Sequence, residues 1–62
     1  MHLLREIEKF MRETDMPWTK FGRLSVRDPR FVEDLRNGRQ PGEKISQRVE
    51  HFMNKWRNDA AA

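Results

Sequence analysis

The 62-residue sequence contains no cysteine, and this absence limits both its chemistry and its location. A chain without cysteine forms neither a disulfide nor a thiolate metal site, which suits a reducing compartment. No apolar run approaches the ~18 residues of a membrane-spanning helix, and the N-terminus lacks the apolar segment of a signal peptide. We therefore expect a cytoplasmic protein that does not enter a membrane.

Sequence motifs of enzymes are missing as well. The chain has no phosphate-binding glycine loop, no nucleophile elbow and no HExxH pair. His2 and His51 have no partners at the spacing of metal ligands. A chain of this size also has little room for a concave active site. We expect a protein that is not an enzyme and that binds neither a metal nor a cofactor.

Positive charge is in small excess and is unevenly distributed. Charged residues make up 37% of the chain, yet the net charge is only +3. Residues 1–16 carry a net charge of −1, whereas residues 17–43 and 44–62 each carry +2. A basic balance favours anionic partners such as nucleic acid. An excess this small is compatible with such a partner but does not require one.

Apolar residues recur with helical spacing at both ends of the chain. The first stripe comprises Leu3, Leu4, Ile7, Phe10 and Met11. The second stripe comprises Ile45, Val49, Phe52, Met53 and Trp56. No segment alternates with the period of two that is typical of a strand. The pattern therefore predicts an all-α protein.

Proline and glycine divide the chain into four predicted helices, at residues 2–14, 17–25, 28–37 and 43–58. Pro17 suits a first helical turn, Asp28 and Pro29 form a start signal, and Gly38 is a stop signal. We expect one domain over residues 1–58 and a frayed tail over residues 59–62. The predicted core consists of Leu4, Ile7, Met11, Phe21, Leu24, Val32, Leu35, Ile45, Val49 and Phe52.

The second and third predicted helices have the skeleton of a helix-turn-helix, two short helices joined by a turn of three to four residues. Gly22 allows the two helices to pack closely, and Val32 and Leu35 anchor the second one to the core. Residues 17–38 resemble, without a gap, the helix-turn-helix of phage repressors and Cro-like bacterial regulators. Gly22 stands where that family has alanine, and Val26 stands where it usually has the glycine of the turn.

The resemblance implies a lambda-repressor-like bundle of four short helices and a specific function. The protein would be a sequence-specific regulator of transcription, most simply a repressor, that binds double-stranded DNA. The helix at about 28–37 would enter the major groove. Because a single small reader covers few base pairs, we expect a homodimer on two half-sites. It would act on the bacterial nucleoid or in a phage-infected cell.

Site residues follow from the resemblance and from the charge pattern. The resemblance implies that Arg30, Phe31 and Asp34 read base edges. It implies phosphate contacts for Trp18, Asn37 and Arg39. The arginines that flank the helix, Arg27, Arg36 and Arg39, also suit phosphate contacts, as do Lys20 and Arg23 more weakly. The residues predicted for a dimer seam are Phe52, Met53 and Trp56.

Each of these residues also has an ordinary structural interpretation. Arg30 could pair with Asp34 four positions later. Phe31 could pack inward, Trp18 could belong to the core at the helix start, and Trp56 could be an ordinary core residue. A basic stripe on the last helix is either a solvated face or an auxiliary surface for anions; it comprises Lys44, Arg48, His51 and Lys55.

The runner-up function is a protein-binding adaptor or inhibitor on the same scaffold. Glu33 and Asp34 place two carboxylates on the helix that should meet an anion. In an adaptor they would instead recognise a basic protein partner, or the basic stripe would recognise an acidic one. DNA binding without a steep salt dependence would favour the adaptor.

Overall fold

The computed structural model describes residues 3–61, which form four helices and no strand. The helices are α1 (Leu3–Thr14), α2 (Trp18–Val26), α3 (Phe31–Arg36) and α4 (Glu43–Ala61). The Cα radius of gyration is 10.9 Å, close to the value of about 11 Å expected for a compact chain of this length. The predicted all-α class and the order of four helices are confirmed. None of the helices in this range is long and apolar enough to cross a membrane.

Two helix boundaries differ from the prediction by three residues, and the other differences are of one residue. Helix α3 begins at Phe31 rather than 28, because residues 28–30 form a separate turn. In that turn the Asp28 carboxylate accepts a hydrogen bond from the Arg30 N–H at 3.0 Å, and the Asp28 carbonyl accepts one from the Phe31 N–H at 3.1 Å. Asp28 therefore caps a backbone N–H group as predicted. The capped group belongs to the turn that precedes α3 and not to α3 itself.

Residues 59–61, where a frayed tail was expected, continue α4 to Ala61. Alanine has the highest helix propensity, and neither glycine nor proline follows Gly42 to end the helix earlier. Ala62 lies outside the described residues, as do Met1 and His2, where the first helix was expected to begin.

The core contains ten buried apolar residues, six of which were predicted. The confirmed residues are Ile7, Met11, Phe21, Val32, Leu35 and Val49, and the buried residues that were not predicted are Phe10, Met16, Phe31 and Met53. Leu4, Ile45 and Phe52 are only partly buried. Leu24 was placed in the core wrongly, because it is 46% exposed. It follows Phe21 by three positions, but the buried face of α2 turns instead towards Gly22 and Ser25.

Aromatic rings connect α1, α2 and α4. The Phe10 ring lies edge-on to three others, with centroid distances of 5.6 Å to Phe21, 6.0 Å to Phe52 and 6.4 Å to Trp56. The Arg57 guanidinium lies over the Phe10 ring at 5.4 Å. Pairs of this geometry contribute about 0.5–1.5 kcal/mol beyond the area that they bury. The cluster therefore fixes the long last helix against the first two.

Gly22 is the point where the turn after α2 touches that helix. The Asp28 N–H donates to the Gly22 carbonyl at 3.1 Å. A Cβ atom at position 22 would overlap the Asp28 carbonyl oxygen and would lie 3.3 Å from the Phe31 Cβ. The predicted need for a small residue is therefore confirmed, and the contact leaves no room even for the methyl group of alanine. This contact sets how α3 leaves α2.

Candidate nucleic-acid interface

Three exposed cations lie along the solvent-facing side of α2 and at its C-terminal end. Lys20 and Arg23 are three positions apart on one helix face, opposite the buried Phe21 and Ser25, and Arg27 follows the last residue of the helix as its cap. All three are exposed, and none makes an ion pair with another residue of the described chain. We call these three residues the α2 basic face. Its cations are available to an external anion.

Arg30, at the N-terminal boundary of α3, adds a fourth cation. Its side chain is exposed and forms no ion pair within residues 3–61. The alternative that Arg30 pairs with Asp34 is not observed, because the Asp34 carboxylate contacts Arg39. Residues 18–31 thus contain four cations and one carboxylate, Asp28. Their net charge of +3 equals that of the whole chain.

Phe31 does not face outward, which corrects its assignment as a base-reading residue. It is 2% exposed and packs in the core with Val32 and Leu35. A helix of six residues has few positions with which to hold itself to the domain, and burial of a phenylalanine contributes about 1.5–3 kcal/mol. The inward-packing alternative is therefore the one observed.

The outward part of α3 is acidic rather than basic. Glu33 and Asp34 are both partly exposed, and Asn37 follows the helix in an exposed position. The Asp34 Oδ2 atom lies 3.0 Å from Arg39 Nη1, so this predicted base-reading carboxylate already has a partner. The Asn37 N–H donates to the carbonyl of Glu33 at 3.0 Å. The Asn37 side chain remains available to a phosphate.

Two further residues predicted to contact phosphate lie at a cleft beside α1. Arg36 pairs with Glu8 at 3.0 Å. Trp18 is half-buried, packs against the core and lines the same cleft, which has a volume of about 570 Å³. Arg36 and Arg39 are therefore both engaged by carboxylates of the chain, which the sequence did not indicate. Within the described residues, the cations of this region that make no ion pair are those of the α2 basic face and Arg30.

The predicted dimer seam is only partly available. Met53 is 2% exposed and belongs to the buried core, so it cannot lie at a seam. Phe52 and Trp56 keep part of their surface and line a shallow depression of about 210 Å³ with Lys55 and Asp59. Most of their area packs within the chain itself, which agrees with the ordinary core interpretation of Trp56.

Outside α2, α3 and their connection, the described chain has one further basic surface and no candidate metal site. The basic stripe of α4 is exposed at Lys44, Arg48, His51 and Lys55. Across residues 3–61 no three histidine, aspartate or glutamate side chains gather in a way that could hold a metal ion.

No known protein family, curated protein or solved structure matches the chain.

Proposed function

We propose that this protein is a sequence-specific regulator of transcription, most simply a repressor, that binds double-stranded DNA through α2 and α3. The observation that carries the proposal is the cluster of exposed cations formed by the α2 basic face and Arg30. Phosphate attraction supplies most non-specific affinity for DNA. Four cations on α2 and on the connection between α2 and α3, with one carboxylate among them, provide such an attraction.

The packing of α2 against α3 supports the same proposal. The two short helices are joined by residues 27–30, a connection of the length found in helix-turn-helix motifs. The contact at Gly22 fixes the direction of α3, and a reader helix must be held rigidly to select a base. In the proposed complex Arg30 reads a base edge, because a guanidinium can donate two hydrogen bonds to guanine, at O6 and N7. The α2 basic face contacts phosphates.

We propose further that two copies bind together. Helix α3 has six residues, and with Phe31 in the core it offers one strong candidate for base reading, Arg30. A single copy would therefore specify few base pairs, whereas a dimer on half-sites about ten base pairs apart doubles the number read. Such a regulator would act in the cytoplasm, on the nucleoid or on phage DNA, by occluding a promoter.

Selection from a randomised pool of DNA duplexes tests the proposal directly. We would recover bound sequences at about 150 mM salt, where non-specific phosphate attraction is reduced. We expect an enriched motif with two-fold symmetry. An enriched motif without two-fold symmetry would support specific DNA binding but contradict binding as a dimer. Recovery of no motif above background would overturn specific DNA binding.

The role of Arg30 has its own test. We predict that Arg30→Ala weakens the preference for the selected base by a factor that corresponds to about 1–3 kcal/mol, because one two-point contact is lost. Arg48→Ala on α4 is the matched control, since it removes the same side chain from an exposed position away from α3. Binding of both variants to the motif and to single-base variants of it would be compared by titration. An unchanged preference in Arg30→Ala would contradict the assignment.

One observation favours the second candidate, a protein-binding adaptor. Glu33 lies partly exposed on α3 and makes no ion pair with any residue from 3 to 61. A carboxylate in that position suits a basic protein segment better than a phosphate. If duplex binding is absent or nearly independent of salt, the adaptor becomes the better proposal.

A further inference from the structure

One guanidinium connects the turn before α3 with the middle of α3. The Arg39 Nη1 atom lies 3.0 Å from Asp34 Oδ2 and 3.8 Å from Asp28 Oδ2. Asp28 precedes the helix and Asp34 is its fourth residue. The Arg39 backbone also takes part, since its N–H donates to the Asp34 carbonyl at 2.9 Å. Arg39 is thus held across the acidic part of the segment that we propose to meet DNA.

This arrangement contributes little to the stability of the fold. The side chains of Arg39, Asp28 and Asp34 are 56%, 40% and 39% exposed, and exposed ion pairs have small effects on folding. The same exposure means that the three groups would lie close to any partner of α3. Their main effect is therefore on the charge that α3 presents, rather than on its folding.

Without Arg39, α3 would repel an anionic duplex. Residues 28–36 contain three carboxylates, those of Asp28, Glu33 and Asp34, against two arginines. One of those arginines, Arg36, is already paired with Glu8. Two like charges at contact distance repel each other appreciably even in water, and DNA phosphates lie close together along the groove. Two of the three carboxylates face Arg39.

We infer that Arg39 is an internal counter-ion, which neutralises Asp28 and Asp34 so that α3 can approach DNA. This inference rests on the proposed DNA-binding function, and it assigns to Arg39 a role different from the phosphate contact that the sequence suggests. Arg39 acts through the two carboxylates and positions the segment that follows α3. The phosphates are contacted by the α2 basic face.

A double-mutant cycle separates the two roles of Arg39. The four proteins are the unchanged chain, Arg39→Ala, Asp34→Asn and the double variant, each titrated with the selected duplex at the same salt concentration. Close approach of a duplex removes water from Asp34, and a desolvated carboxylate without a paired cation costs more than a paired one. We therefore expect Arg39→Ala to weaken binding about fivefold to tenfold in the unchanged chain and about twofold to threefold in the Asp34→Asn background, where only the longer contact with Asp28 remains. We expect Asp34→Asn alone to bind at least as tightly as the unchanged chain.

The opposite result would overturn the inference while leaving the function intact. If Arg39 contacts phosphate, its removal costs the same factor in both backgrounds, or a larger one when Asp34 no longer holds it. Arg36→Ala, measured in the same two backgrounds, is the control, because Arg36 pairs with Glu8 and its effect should not depend on position 34. Thermal unfolding of all variants would show that a lost fold does not cause the change.

Failure of the proposed function has a different signature. In that case the unchanged chain itself would bind no duplex above background, and the inference would fall with the function. Specific binding by the unchanged chain together with equal effects in the two backgrounds rejects only the counter-ion role. Specific binding with the expected coupling supports both.

Discussion

At the scale of single residues, Gly22 determines whether α2 and the turn after it can touch. The Asp28 carbonyl occupies the space where a side chain at position 22 would begin. That oxygen belongs to the backbone of a turn which is itself held by a hydrogen bond from the Asp28 N–H to Gly22. Relief of an overlap there requires the turn, and with it α3, to move away from α2.

We predict that Gly22→Ala lowers the free energy of unfolding by roughly 3 kcal/mol or more, the upper range for an added methyl group in a packed site. The control is Gly42→Ala, because the space around a Cβ atom at position 42 is open. That change should alter stability by less than about 1 kcal/mol. Urea unfolding followed by circular dichroism would measure both. Equal stability of the two variants would show that the helices are not in this close contact.

Phe31 shows what a sequence pattern could and could not establish about a single residue. The spacing of Val32 and Leu35 correctly predicted that α3 rests on the core. The pattern did not show whether the Phe31 side chain points into the core or towards solvent. In a helix of only six residues, that assignment requires the first residue of the helix to be known. That start lies three residues later than predicted, since Asp28 caps the preceding turn.

At the scale of elements, the end of α2 is strained. Arg27 has φ = 59° and ψ = 33°, the left-handed conformation that ends many helices and that favours glycine. The resemblance placed the turn at Val26, whereas the residue with the left-handed conformation is Arg27. Arginine costs more than glycine in this conformation. Under the proposed function the cation at position 27 contacts a phosphate, which glycine could not do.

We predict that Arg27→Gly raises the free energy of unfolding by about 0.5–1 kcal/mol and weakens binding to DNA. The matched control is Arg23→Gly, which removes the same side chain from the interior of the same helix. There glycine should lower stability by about 1 kcal/mol. The two variants should therefore shift the unfolding midpoint in opposite directions while both weaken DNA binding. A destabilised Arg27→Gly variant would contradict the account of strain.

At the scale of the whole molecule, the sequence predicted the helices better than the charge that they present. Each helix followed from local signals, such as apolar spacing and the prolines and glycines between segments. The ion pairs join distant positions: Glu8 and Arg36 are 28 residues apart, and Glu13 and Arg57 are 44 apart. Such pairings depend on the packed arrangement of the helices. The sequence therefore identified a basic region but not which arginines remain available within it.

The described chain exposes two basic surfaces of similar composition, and the proposal assigns DNA to one of them. The α2 basic face adjoins α3, whereas the stripe of Lys44, Arg48, His51 and Lys55 runs along α4. A net charge of +3 would attract DNA from a distance through either surface. Contact with phosphates, however, releases counter-ions only where the cations meet the duplex. Salt dependence can therefore distinguish the two surfaces.

We predict that the double variant Lys20→Ala with Arg23→Ala reduces the slope of log affinity against log salt by about 2, as expected for two lost phosphate contacts. The matched variant, Lys44→Ala with Arg48→Ala, should leave the slope within about 0.5 of its original value. Both variants remove two positive charges and lower the net charge from +3 to +1. Net charge alone would therefore change both slopes equally, and that outcome would reject a localised interface. A change only in the α4 variant would move the interface to α4 and remove the argument for α3 as the reader.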